Sequence, residues 1–137
     1  NGDGSVSGKN KTIDLKDCCE FDDALFDVTY HTNNNQNGYI GGSSKQLRLY
    51  VGSGTTSGSS VEVSVIDGLR ITKVTFKSAG YDRVSESDIQ VNISSDGKKA
   101  TIQNTNSGNG GHAKISAIDA FFINSIICAS SFASSPL

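Results

Sequence analysis

Apolar and polar residues alternate in short runs along most of this chain. In "QLRLYV" the residues Leu47, Leu49 and Val51 share one parity, in "VEVSV" Val61, Val63 and Val65 do, and in "DIQVNIS" Ile89, Val91 and Ile93 do. Successive side chains of a strand point to opposite faces of its sheet, so each run reads as a β-strand with one face buried. Two longer runs break their own parity. In "LRITKVTFKSAG" Val74 and Phe76 share a face while Ile71 falls on the other, and in "HAKISAIDAFF" the set Ala113, Ile115, Ala117 is out of step with Ile118, Ala120, Phe122. One extra residue in each strand restores the pattern, which predicts a bulge near Thr72 and Lys73 and another within the last run.

The runs are separated by turn chemistry. "HTNNNQNG" and "GSGTTSGSS" read as loops, and Asp67-Gly68 and Asp96-Gly97 read as hairpin turns, the second between "DIQVNIS" and a returning "ATIQNT". Near the start, "TIDLKD" opens an alternation with Ile13 and Leu15. "CCEFDDALFDVTY" fits helical spacing at Phe21, Leu25 and Val28 and strand spacing at Phe26, Val28 and Tyr30, and is read as a turn followed by a strand over about 25–30. The sum is about nine short strands, the pattern of an all-β, two-sheet antiparallel β-sandwich. No tandem repeat of fixed period points to a solenoid. The chain divides into an N-terminal extension at 1–11, flexible or ordered by assembly, a sandwich domain at 12–122, and a C-terminal extension at 123–137.

Length and composition agree with this. A chain of 137 residues is the size of one domain. With 19% charged residues, 15 glycines, one proline and no tryptophan or methionine, it lacks the residues that sustain long helices. The 12 basic and 14 acidic residues leave a net charge of −2 with no long block of either sign. No basic stripe is visible, and a nucleic-acid partner is not expected. No apolar run is long enough for a membrane-spanning helix. The opening "NGDGSVSGKN" has no charged-then-apolar signal, so a secreted protein would have this chain as its mature form; the expected location is secreted, extracellular or at the cell surface.

Three cysteines, Cys18, Cys19 and Cys128, have no metal-type spacing. In an oxidising compartment one bridge joins Cys128 to Cys18 or Cys19 and leaves one thiol, free or bonded to a neighbouring chain. The other reading is three reduced cysteines packed as small hydrophobes.

The succession "LRLYVGSG", "VEVSV", "ITKVTFKSAGY", "DGKKATIQNT" and "HAKISAIDAFF" resembles a recurring β-sandwich module of secreted bacterial proteins of the Bacteroidetes and Firmicutes. The resemblance covers 46–122. It implies a jelly-roll-like fold and an accessory role in attachment or carbohydrate contact, with no catalytic residues to carry over. "DCCEFDD" has no counterpart in that pattern, and 123–137 lies beyond its end.

Candidate chemistry is sparse. The two histidines, His31 and His112, flank Asn- and Gly-rich loops, and no GxSxG element accompanies the many serines, so neither is expected to be catalytic. Carboxylates for glycoside hydrolysis, from Glu20, Asp22, Asp23, Glu62, Glu86 or Asp88, are scattered. Glu20, Asp22 and Asp23, with "NGDG" at 1–4, supply oxygens of the kind calcium takes, though without calcium-loop spacing, so a structural Ca²⁺ is the one cofactor considered. For glycans, Tyr30, Tyr39, Tyr50 and Tyr81 offer rings, and Asn35 and Gln36 offer amides; Tyr39, Tyr81, Asn35 and Gln36 form the candidate contact set. Asn10 and Asn92 begin glycosylation sequons.

The last stretch, "INSIICASSFASSPL", is uncharged and contains Ile123, Ile126, Ile127 and Phe132. Large apolar side chains gain roughly 1.5–3 kcal/mol each on burial. They therefore pack either on their own sandwich, tied by Cys128, or on an open sheet edge of the next subunit. The leading expectation is a non-enzymatic structural protein that self-assembles into a filament or surface layer through its terminal extensions, and the alternative is a carbohydrate-binding or adhesive module.

Overall fold

Residues 12–14, 21–32, 47–53, 58–108 and 110–125 are described by a computed structural model. They form eight antiparallel strands in two sheets, one fewer than the pattern predicts. The strands are β1 (Thr12–Asp14), β2 (Phe26–His31), β3 (Leu47–Tyr50), β4 (Ser60–Val65), β5 (Leu69–Asp82), β6 (Ile89–Ile93), β7 (Lys99–Asn104) and β8 (His112–Asn124). The first sheet runs β1-β2-β4-β7-β6 and the second β3-β8-β5. Not all are short: β5 and β8 have 14 and 13 residues and pair along most of their length.

The alternation of the sequence is the alternation of burial. Tyr30, Val61, Val63, Val65, Ile89, Ala100 and Ile102 face inward from the first sheet, and Leu47, Leu49, Ile71, Val74, Ala113 and Ile115 from the second, in a single apolar cluster. This shared core makes the architecture sandwich-like. Tyr30, read as a candidate glycan ring, is a core residue whose hydroxyl donates to the Arg48 carbonyl at 2.7 Å, and burial pushes its phenol pKa up. Two of the three register shifts between β5 and β8 lie where parity breaks, and the third is at Ala79, between Ser78–Ile115 and Gly80–Lys114. Thr72 is the extra residue between the pairs Ile71–Phe122 and Lys73–Phe121, and Ser116 is extra between Lys77–Ala117 and Ser78–Ile115.

Only one of the two Asp-Gly turns closes a hairpin. At Asp96-Gly97 the chain passes from β6 to β7, its neighbour, with Gly97 at φ 71°. The Asp96 carboxylate accepts the Lys98 N–H at 3.0 Å and the Ser94 hydroxyl at 2.7 Å, and these hold its pKa down. A side chain at Gly97 would meet the stem of Arg70. The Asp67-Gly68 hairpin expected from sequence is instead a crossover: both edges of β4 are taken by β2 and β7, and β5 leaves for the second sheet. Every connection except β1–β2 and β6–β7 passes between sheets in this way.

Asn104 is the largest of the polar side chains buried among the described residues, which include Thr32, Ser59 and Ser60. At the end of β7, it is fully buried and donates from Nδ2 to the Leu49 carbonyl at 2.9 Å, while its Oδ1 accepts the Asn106 N–H at 3.0 Å. It fastens the first sheet to β3. Gly58 fits beside it because a Cβ there would lie 2.3 Å from the Asn104 carbonyl oxygen and 2.5 Å from that of Tyr50.

Candidate functional site

β8 is the middle strand of the second sheet, but only in part. Its first four residues pair with β3 on one side and β5 on the other, whereas beyond the bulged Ser116, from Ala117 to Asn124, it pairs with β5 alone among the described residues. β-Branched and aromatic residues, Ile118, Phe121, Phe122 and Ile123, keep this half extended. A strand edge of this kind presents main-chain donors and acceptors to any further strand.

The same half carries the main apolar exposure. Phe121 is 51% exposed, Phe122 39% and Ile123 38%. The Phe122 ring meets Phe26 of the first sheet edge-on, with centroids 5.6 Å apart, and Phe121 lies on the opposite face under the Lys73 ammonium, 5.6 Å from the ring centroid. Ile66, in the turn after β4, is also exposed. The Ser125 N–H donates to the Gly68 carbonyl at 2.8 Å just past the end of β8.

The structure brings few of the residues singled out from sequence together. Ile123 is the penultimate residue of β8, while Ile126, Ile127 and Phe132 lie outside the described residues, as do Cys18, Cys19, Cys128, Glu20, Asn10, Asn35, Gln36 and Tyr39. Asp22 and Asp23 sit exposed in the turn before β2, where an Asp22 carboxylate oxygen accepts the Ala24 N–H at 3.2 Å. Glu62 is on the outer face of β4, 3.7 Å from the Lys99 ammonium. Glu86 and Asp88 belong to a 3-10 turn, where the Asp88 carboxylate accepts the Ser85 N–H at 2.8 Å and the Asn106 amide at 3.0 Å, which lower its pKa. Among the described residues no three His, Cys, Asp or Glu are placed to hold a metal ion. Tyr81 is exposed near the end of β5, Asn92 is exposed on β6, and His31 on β2 is 3.9 Å from Glu62.

His112 departs from its reading as an ordinary loop-side residue. At the start of β8 its ring lies 5.4 Å from that of Tyr50, Nδ1 is 3.8 Å from the Asp82 carboxylate, and Nε2 is buried with no hydrogen-bond partner. Burial first, then the charge of Arg48, lowers its pKa; Lys114 and Arg83 act the same way and Asp82 opposes them. The folded imidazole therefore stays neutral at pH values where the unfolded one, near 6.5, takes up a proton. The unfolded state then binds more protons, so His112 makes stability fall as pH drops through about 6.5, until the folded imidazole also protonates. Urea midpoints of the wild type and His112→Gln between pH 7.5 and 5 should diverge, with the variant losing less stability; parallel curves would refute this.

The fold also gathers cations that the sequence leaves scattered. On the outer face of the second sheet, Arg48 of β3 pairs with Lys114 of β8, and the exposed positions along β5 include the cations Arg70, Lys73 and Lys77. The carboxylates on this face are Asp82, beside His112, and Asp119, opposite Thr75. The sequence signal for such a face is basic residues at outward parity of strands that share a sheet, and it can be read only once β3, β8 and β5 are known to pair.

No family model, curated protein or solved structure matches the chain.

Proposed function

We propose that this chain is a secreted, non-enzymatic structural subunit, a jelly-roll-like sandwich of the kind its strand motifs resemble, that builds an extracellular filament or surface layer by terminal strand exchange. The observation that carries this reading is the edge of β8 over 116–124, which lacks a second strand among the described residues and ends in exposed Phe121, Phe122 and Ile123. The uncharged segment 126–137 follows it directly. An edge and an apolar extension on one chain are two unlike surfaces, and a contact between unlike surfaces propagates from subunit to subunit unless its rotation closes a ring. The crossovers between sheets support the jelly-roll-like path, because they place strands distant in sequence side by side.

Light scattering of the full chain and of a chain ending at Ser125 tests the proposal. The full chain is expected to give assemblies that grow with concentration, and the shortened chain a monomer of native circular dichroism. Ile123→Lys, which sets a charge on the edge, should weaken assembly of the full chain at least tenfold. A monomeric full chain, or a shortened chain that assembles as before, would overturn it.

A further inference from the structure

We propose that the outer face of β5 is a binding surface for a linear acidic polysaccharide bearing widely spaced carboxylate or sulfate groups, a surface separate from the β8 edge and independent of the assembly reading. Arg70, Lys73 and Lys77 are all exposed on this strand, and Lys114 stands beside Gly80 where the same row continues. The chain as a whole is negative, so this face is set against its background charge.

Three features select the ligand class. The first is spacing: at about 3.3 Å per residue, Lys73 and Lys77 stand roughly 13 Å apart, and Arg70 and Lys73 roughly 7 Å, because the bulge at Thr72 sets these two opposite Ile123 and Phe121 of β8. A nucleic-acid strand offers a phosphate about every 3.4 Å and rewards denser cations. A polysaccharide with one acidic group in every second sugar matches sparse cations far better. The second is the placing of the carboxylates. Asp119 lies on β8 and Asp82 at the far end of β5, so no acidic side chain interrupts the row from Arg70 to Lys77. A linear ligand that follows β5 has Asp119 at one margin, about one strand spacing away, and runs clear of Asp82, whereas a flat anionic bilayer meets both carboxylates together with the cations. The third is what lies between the charges. Thr75, between Lys73 and Lys77, offers a hydroxyl of the kind that bonds sugar hydroxyls.

The test uses the full chain and immobilised hyaluronan, which carries one carboxylate per disaccharide, with neutral dextran as the control. Retention on hyaluronan and not on dextran is expected at low salt, falling as ionic strength shortens the reach of charges about a Debye length apart. The triple variant R70Q/K73Q/K77Q should bind at least tenfold more weakly with unchanged circular dichroism. Lys99→Gln, which removes a cation from the outer face of the first sheet, should bind as the wild type does. Absence of wild-type retention, equal loss in both variants, or stronger binding to phosphatidylglycerol vesicles or single-stranded DNA would each overturn the proposal. Because retention is compared between variants of measured mass, its failure is distinguishable from a failure to assemble.

Discussion

Leu49→Ala is expected to destabilise the protein by about 2–5 kcal/mol, the range for a leucine removed from a packed interior. Leu49 is completely buried, and β3, on which it lies, is only four residues long and pairs with β8 on one side among the described residues. Its opposite number on β8 is Ala113, which is too small to fill the space vacated. A cavity between the sheets therefore persists. Domains of this size are stable by about 5–15 kcal/mol, so the change removes a large fraction of the total. Urea unfolding followed by far-ultraviolet circular dichroism measures it, and a loss under about 1 kcal/mol would show that the sheets close over the gap. Val91→Ala on the edge strand β6, where Val91 is only partly buried, should cost less.

Asn104→Ala is expected to be nearly as damaging for a different reason. The side chain fills little apolar space, but its removal leaves the Leu49 carbonyl and the Asn106 N–H without their partners. An orphaned buried group costs about 1–3 kcal/mol, and the part-buried Asn106 N–H less. Asn104→Asp separates this from packing, since it keeps the shape and the acceptor for Asn106 but replaces the donor to Leu49 with a carboxylate oxygen. Both variants should lower the urea midpoint, and the aspartate should recover part of its loss at low pH, where protonation restores a donor. An alanine variant as stable as the wild type would mean that water replaces the amide.

These residues also show how far the sequence can be read. Leu47, Leu49, Val51 and the three valines of β4 announce their burial because period-two alternation maps directly onto the two faces of a strand. Even the bulges at Thr72 and Ser116 are legible, as breaks in parity. Strand pairing is less so. Asp67-Gly68 and Asp96-Gly97 look alike as dipeptides, yet only the second closes a hairpin, because occupancy of the β4 edges by β2 and β7 is decided by residues far along the chain. The same non-locality hides the candidate surfaces. The extra apolar character of Phe121 to Ile123 is visible in the sequence, but the edge beside it is not. The cations of β3, β5 and β8 read as scattered charges until the second sheet sets them on one face. For His112, the neighbouring glycines suggest a surface loop, and its buried ring follows from contact with Tyr50, sixty-odd positions earlier.

The position of β8 at the centre of its sheet also bears on how the protein is made. β3 and β5 have no partner but β8 among the described residues, and of the described strands β8 is synthesised last. The first sheet has all its strands once Asn104 has left the ribosome. The second has none of its ladders until His112 and the residues after it emerge, so the inner face of the first sheet waits uncovered. Pairings over such sequence distances form slowly, and chains stalled before them expose unpaired strands. Nascent chains arrested at Asn104 should therefore remain open to protease along β3 and β5, and only release of a further twenty residues should close them.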